Sequence, residues 1–173
     1  DWSLKKPMPI EMLQQQSFDN RFAWTAYRLA VAWKEEEPMA KKEIDGFFRA
    51  SIQAAPFVLS FRSAYAAYLL TEENLDAARE QYRWMYEENN RTAEAMNGLG
   101  YIAMLEGNLA EAEKYLNRCI EFHPDYLLAR INRLVLNSQK GKTAELQTEL
   151  NQLKKQWPNH PKVLALSEYI STL

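Results

Sequence analysis

Apolar residues recur along this chain at steps of three and four rather than in alternation, the spacing that gathers them on one face of an α-helix. Met96, Leu99, Gly100 and Ala103 share one such face. Glu106-Gly107-Asn108 then reads as a helix stop and turn, after which Leu109, Ala112, Leu116, Cys119 and Ile120 form a second face of the same period. Residues 93–126 are therefore predicted to form an αα-hairpin. The arrangement repeats, because Pro56, Asn90, Pro124 and Pro158 stand 34 residues apart. Three of the four are prolines that follow an apolar run, where a helix has to end because proline cannot continue the hydrogen-bond ladder. Two helices fit into each interval.

A fixed period of this length, with Leu99-Gly100, Gly107-Asn108-Leu109-Ala110-Glu111-Ala112 and His123-Pro124-Asp125 in order, resembles the tetratricopeptide repeat. The steric content of the pattern is plain: Gly100, Ala112 and Cys119 are small enough to let helices approach, while Leu99, Leu116 and Ile120 fill the space between them. The resemblance implies an all-α fold, a right-handed α-α superhelix of stacked helical hairpins with a C-terminal closing helix.

The other units vary this theme. Residues 59–92 keep Glu73-Asn74-Leu75-Asp76-Ala77-Ala78 in the same column and have Ala66, Ala78 and Met85 at the contact positions, with a weaker helix stop. Residues 127–160 keep Gly141 and Pro158 but place Leu134, Leu146 and Leu153 in the small columns and Arg133 where leucine is usual, so looser or differently angled packing is expected there. Residues 17–58 read as a degenerate hairpin, broken near Glu35-Glu36-Glu37-Pro38, whose Phe22, Trp24, Tyr27 and Trp33 cover the end of the stack. Residues 161–173 form the closing helix, which makes 17–173 one domain behind a leader of residues 1–16. That leader carries Trp2, Lys5 and Lys6. It reads as a linker docked on its own domain or as the flank of a preceding membrane span.

Composition narrows the function. Five glycines in 173 residues are too few for the turns of a sheet-rich fold, and 47% hydrophobic residues suffice for a core. The most hydrophobic stretch, residues 22–33, is too short to span a bilayer and holds Arg28. With 21 basic against 23 acidic residues there is no field for nucleic acid, and no such partner is expected. Cys119 is a lone cysteine in a small column without a basic neighbour in sequence, so it reads as a structural thiol. His123 and His160 sit in turns and lack metal-ligand spacing, and no phosphate loop or nucleophile elbow is present. No catalytic residue, metal or cofactor is expected in this chain, and the charge runs read as solvated surface.

What a stack of hairpins offers instead is a concave face lined by the first helix of every unit. The register places Ser63, Ala67 and Leu70 there, then Asn97, Tyr101 and Met104, then Ile131, Asn132, Val135 and Ser138, with Ala165 and Tyr169 from the closing helix. Tetratricopeptide domains that dock the C-terminal carboxylate of heat-shock chaperones use lysine, arginine and asparagine in such columns. Here those columns hold Ser63, Ala67, Gly98, Leu128 and Asn132, so the resemblance does not extend to that ligand class. An aromatic platform, methionine and two side-chain amides suit an apolar or neutral helix or extended peptide. The expected function is a non-catalytic protein-interaction scaffold. The alternative is a regulatory or positioning domain of a larger membrane-associated enzyme or cell-envelope assembly protein, which would set it in a bacterial membrane-tethered or periplasmic location. Asp1 in place of a starting methionine motivates the alternative. Partner identity and oligomeric state are left open.

Overall fold

The computed structural model describes residues 20–36, 40–141 and 143–171. The leader at 1–16 and the proposed break at Pro38 lie outside the described residues. Among the described residues the chain forms nine α-helices and no strand. They are α1 (Asn20–Glu36), α2 (Lys41–Ala54), α3 (Leu59–Thr71), α4 (Leu75–Glu88), α5 (Ala93–Leu105), α6 (Leu109–Phe122), α7 (Leu127–Gln139), α8 (Thr143–Gln156) and α9 (Pro161–Ser171). The starts of α3, α5, α7 and α9 are each 34 residues apart. No described helix is long and apolar enough to cross a membrane. Residue contacts group the chain into two compact units, Asp1–Gln81 and Tyr82–Leu173, so the division falls inside α4.

The turns explain why helices end where they do. After α5, Gly107 takes φ 76° and two hydrogen bonds close the end, Asn108 N to the Ala103 carbonyl (2.8 Å) and Gly107 N to the Met104 carbonyl (3.1 Å). Asn108 at once caps α6, its side chain accepting from Glu111 N at 3.3 Å and donating to the Glu111 carboxylate at 2.8 Å. The turn after α3 has the same hydrogen bonds, Asn74 N to the Leu69 carbonyl (2.9 Å) and Glu73 N to the Leu70 carbonyl (3.2 Å). There, however, the left-handed position is held by Glu73 at φ 58°, the physical form of the weaker stop. A side chain in that conformation is strained by its Cβ, so Glu73→Gly should stabilise the chain by about 1 kcal/mol. Thermal unfolding followed by circular dichroism checks this, and a midpoint that does not rise would show the turn to be unstrained.

In the first unit α1 buries Ala23, Ala26 and Ala30, a seam of small side chains on one face that lets α2 pack very closely along it. Aromatic rings do the filling. Phe48 stacks on Tyr65 (centroids 5.4 Å apart) and lies 5.5 Å from Tyr68 and 6.4 Å from Tyr27. The predicted aromatic cover on α1 packs on its neighbours: Trp24 and Tyr27 lie 4.8 and 4.9 Å from Phe61 of α3, and Trp33 lies 5.5 Å from Phe47 of α2. Asp45 ties α2 to α3 by accepting from the Tyr65 hydroxyl, and it also holds Arg49 at 2.7 Å.

The second unit has two joined cores. Ala93, Met96, Ala103, Met104, Ala112, Leu116, Cys119, Ala129 and Leu136 form the first, and Ile131, Leu134, Leu146, Leu150, Leu153, Val163 and Leu166 form the second. Every contact column read from the sequence is buried, whether it holds Gly100, Ala112 and Cys119 or Leu134, Leu146 and Leu153. The leucines have a consequence, since α7 and α8 approach less closely than α5 and α6. Arg133, in the column where leucine is usual, is paired with Glu149 of α8.

Candidate functional site

In the second unit the first helices of successive hairpins lie side by side, α5 against α7 and α7 against α9, giving a face made of three helices. Asn97 and Tyr101 of α5 are half-buried on it, as are Asn132, Val135 and Ser138 of α7. Ala165 and Tyr169 of α9 are exposed, and in Tyr169 the exposure reaches 44%. Between neighbouring helices of this face, Asn132 Nδ2 donates to Asn97 Oδ1 at 2.9 Å. A single bond between two amides leaves most of their donors and acceptors available. Ser138 differs, because its hydroxyl donates to the Val135 carbonyl at 2.8 Å and serves its own helix.

Two residues expected on this face are core instead. Met104 is buried against Ala112 and Ala129, and Ile131 is buried with Leu134 and Val163, so neither offers much surface to a ligand. Gly98 is likewise interior: a Cβ built there would stand 2.5 Å from the ring of Tyr82, whose flat side the helix accepts only because the position is glycine. In the first unit Ser63 and Leu70 of α3 are half-buried and Ala67 is exposed.

The titratable groups are structural in character. Burial pushes the Cys119 thiol from 9.0 up to about 12, with the charge of Glu94 adding to it, and the sulfur lies 3.5 Å from the Ala93 carbonyl. Burial, again with Glu94, takes the Tyr82 phenol from 10.0 to about 12. Tyr65 and Tyr126 are raised further, both first by burial, and Tyr65 also by its bond to Asp45. Each group holds its proton more tightly folded than unfolded. Their stabilisation is therefore complete below the unfolded values, near pH 9 and 10, and is lost as pH rises towards 12. Urea midpoints should fall steadily between those limits, and Cys119→Ala should flatten the lower part of that fall. A midpoint constant to pH 12 would contradict the burial of these groups.

Both histidines serve turns. His123 Nε2 lies 2.5 Å from the Arg91 carbonyl, and His160 Nδ1 accepts from Lys162 N at 3.3 Å. Among the described residues no group of three or more His, Cys, Asp or Glu side chains could hold a metal ion.

A family model for the coatomer epsilon subunit matches residues 58–171. The chain belongs to the coatomer epsilon subunit family. The coatomer epsilon match starts one residue before α3 and stops at the last residue of α9, so it takes in the 34-residue units and leaves out α1 and α2. None of the curated proteins matches the chain. Among solved structures, that of pilF from Pseudomonas aeruginosa is 20% identical with a TM-score of 0.68, over 83% of this chain and 65% of the other. A tetratricopeptide repeat protein from Parabacteroides merdae is 15% identical with a TM-score of 0.74, over 94% of this chain and 61% of the other. YrrB, described as a tetratricopeptide protein with an unusual peptide-binding site, is 20% identical with a TM-score of 0.67, over 90% of this chain and 78% of the other. The fold of this coatomer epsilon family member is thus of tetratricopeptide type. The chain spans less than two thirds of the first two structures' lengths.

Proposed function

We propose that this chain is a protein-interaction scaffold that binds a neutral, partly apolar segment of a partner along the α5–α7–α9 face. The observation that carries this reading is the Asn97–Asn132 amide pair, half-buried across neighbouring repeats. Amides so placed can meet the backbone N–H and C=O groups of an extended peptide, while Tyr101 and Val135 give its side chains an apolar floor. Support comes also from the family, whose name is that of a subunit, a protein that acts within an assembly. YrrB, of like fold, has a peptide-binding site in its description.

The experiment is a selection of displayed random peptides on the whole chain, followed by affinity measurement with variants. Neutral sequences should be enriched, and Asn132→Ala or Tyr101→Ala should weaken the selected peptide about five- to tenfold with helix content intact. Equal affinity in both folded variants would take this face out of the mechanism.

A further inference from the structure

Two arginines share one ring where α6 meets the loop before α5. The Arg91 guanidinium lies 4.8 Å from the Phe122 centroid and that of Arg118 lies 5.6 Å from it, with Tyr86 5.8 Å from Arg118 on a neighbouring helix. Their setting is fixed: His123 holds the Arg91 carbonyl, Thr92 Oγ1 donates to the Asn89 carbonyl at 2.9 Å, and the Cys119 sulfur reaches the Ala93 carbonyl. Tyr86 is itself braced edge-on by Tyr115, 5.6 Å away.

Among the described residues neither arginine takes part in an ion pair. Glu87, Glu88, Glu94 and Glu121 are close in sequence and exposed, yet none is paired with them. Arg118 Nε is buried without a hydrogen-bond partner. Elsewhere in this unit Arg133 is served by Glu149 and Arg130 by Gln156 at 2.7 Å. Each guanidinium gains from the ring face it covers, but the two like charges also repel one another and no carboxylate among the described residues neutralises either. Stacking uses only the flat face of a guanidinium. Its N–H donors lie in the plane, in the fork that takes a carboxylate by two bonds. Half-buried Tyr86, Tyr115 and Phe122 give the site an aromatic rim, which the side chains of a peptide can cover and a small free anion cannot.

We infer that Arg91 and Arg118, held on Phe122, are a docking site for an acidic segment of a partner protein, whose carboxylates the two guanidinium edges bind. The site is separate from the face proposed above, since it draws on α6 and the loop before α5 and on none of that face's residues. It adds a charged anchor to a neutral binding face.

The test is titration of the whole chain with a fluorescent, end-capped hexaglutamate peptide at about 20 mM salt, where exposed charges are little screened. Binding should weaken as salt is raised, and the uncharged hexaglutamine peptide should show none. Arg91→Gln with Arg118→Gln should weaken hexaglutamate about tenfold or more. Asn97→Ala with Asn132→Ala should leave it unchanged, which separates this inference from the neutral-face reading. No binding to the wild-type chain, equal binding by the double arginine variant, or displacement by inorganic phosphate as effective as by unlabelled hexaglutamate would each overturn it. Should that variant lose helix content, the wild-type arginine side-chain resonances decide. Shifts at Arg91 and Arg118 on adding hexaglutamate support the site, and shifts confined to other arginines reject it.

Discussion

Phe48→Ala should lower the unfolding free energy by about 3–5 kcal/mol, the range for removing a buried aromatic ring from a core that cannot collapse around the void. The ring is 1% exposed and lies between Tyr27 of α1 and Tyr65 and Tyr68 of α3. Removing it leaves those three rings without a partner on one side, and rigid aromatics close a gap poorly. Urea unfolding followed by far-ultraviolet circular dichroism measures the loss. Phe48→Leu should recover more than half of it. A loss below about 1 kcal/mol for the alanine variant would show that the first unit draws its stability from elsewhere.

Gly98→Ala should destabilise the chain by about 2 kcal/mol, although alanine is the better helix former by about 1 kcal/mol. The two effects oppose each other, and the steric one is larger. The added carbon would fall 2.5 Å from Tyr82, a ring that is 6% exposed and has two torsions only, so it has no room to turn aside. At Gly100 the nearest atom is Leu116 Cγ at 2.8 Å, on a side chain with more ways to move, so Gly100→Ala should cost less. Combining Gly98→Ala with Tyr82→Leu tests the mechanism: the pair should be clearly less destabilised than the sum of the single changes. Simple addition would mean that ring and methyl do not meet.

The parts of the fold that were legible in the sequence are those set by local chemistry. Pro56, Pro124 and Pro158 end helices through the backbone, and Gly107 turns it through a positive φ, so their spacing carries the repeat without knowledge of any partner. The small columns were readable for the same reason, since Ala112 and Cys119 act by their size. Partners distant in sequence were not readable. Arg133 stands out in a leucine column, but nothing in the chain points to Glu149, 16 residues on, as the group that neutralises it. Gly98 is covered by Tyr82 of the preceding helix, a neighbour that the local pattern does not name. For the proposed binding face, register alone does not fix how each helix is rotated. Near the end of α5 and the start of α7, Met104 and Ile131 turn into the cores while Asn97 and Asn132 face each other. The arginines on Phe122 left no pattern in the sequence, because Arg91 and Arg118 belong to different elements and converge only through the fold.

The leucines in the columns of α7 and α8 bear on how far such a chain is modular. Where Gly100, Ala112 and Cys119 permit close approach, Leu134, Leu146 and Leu153 hold two helices further apart. Each hairpin is thus cut to the spacing of its own neighbours. Exchanging residues 93–126 with 127–160 would keep the 34-residue rhythm yet set small side chains against gaps and large ones against tight seams. The units share a length and a turn chemistry, but their order along the chain is written into side-chain volume.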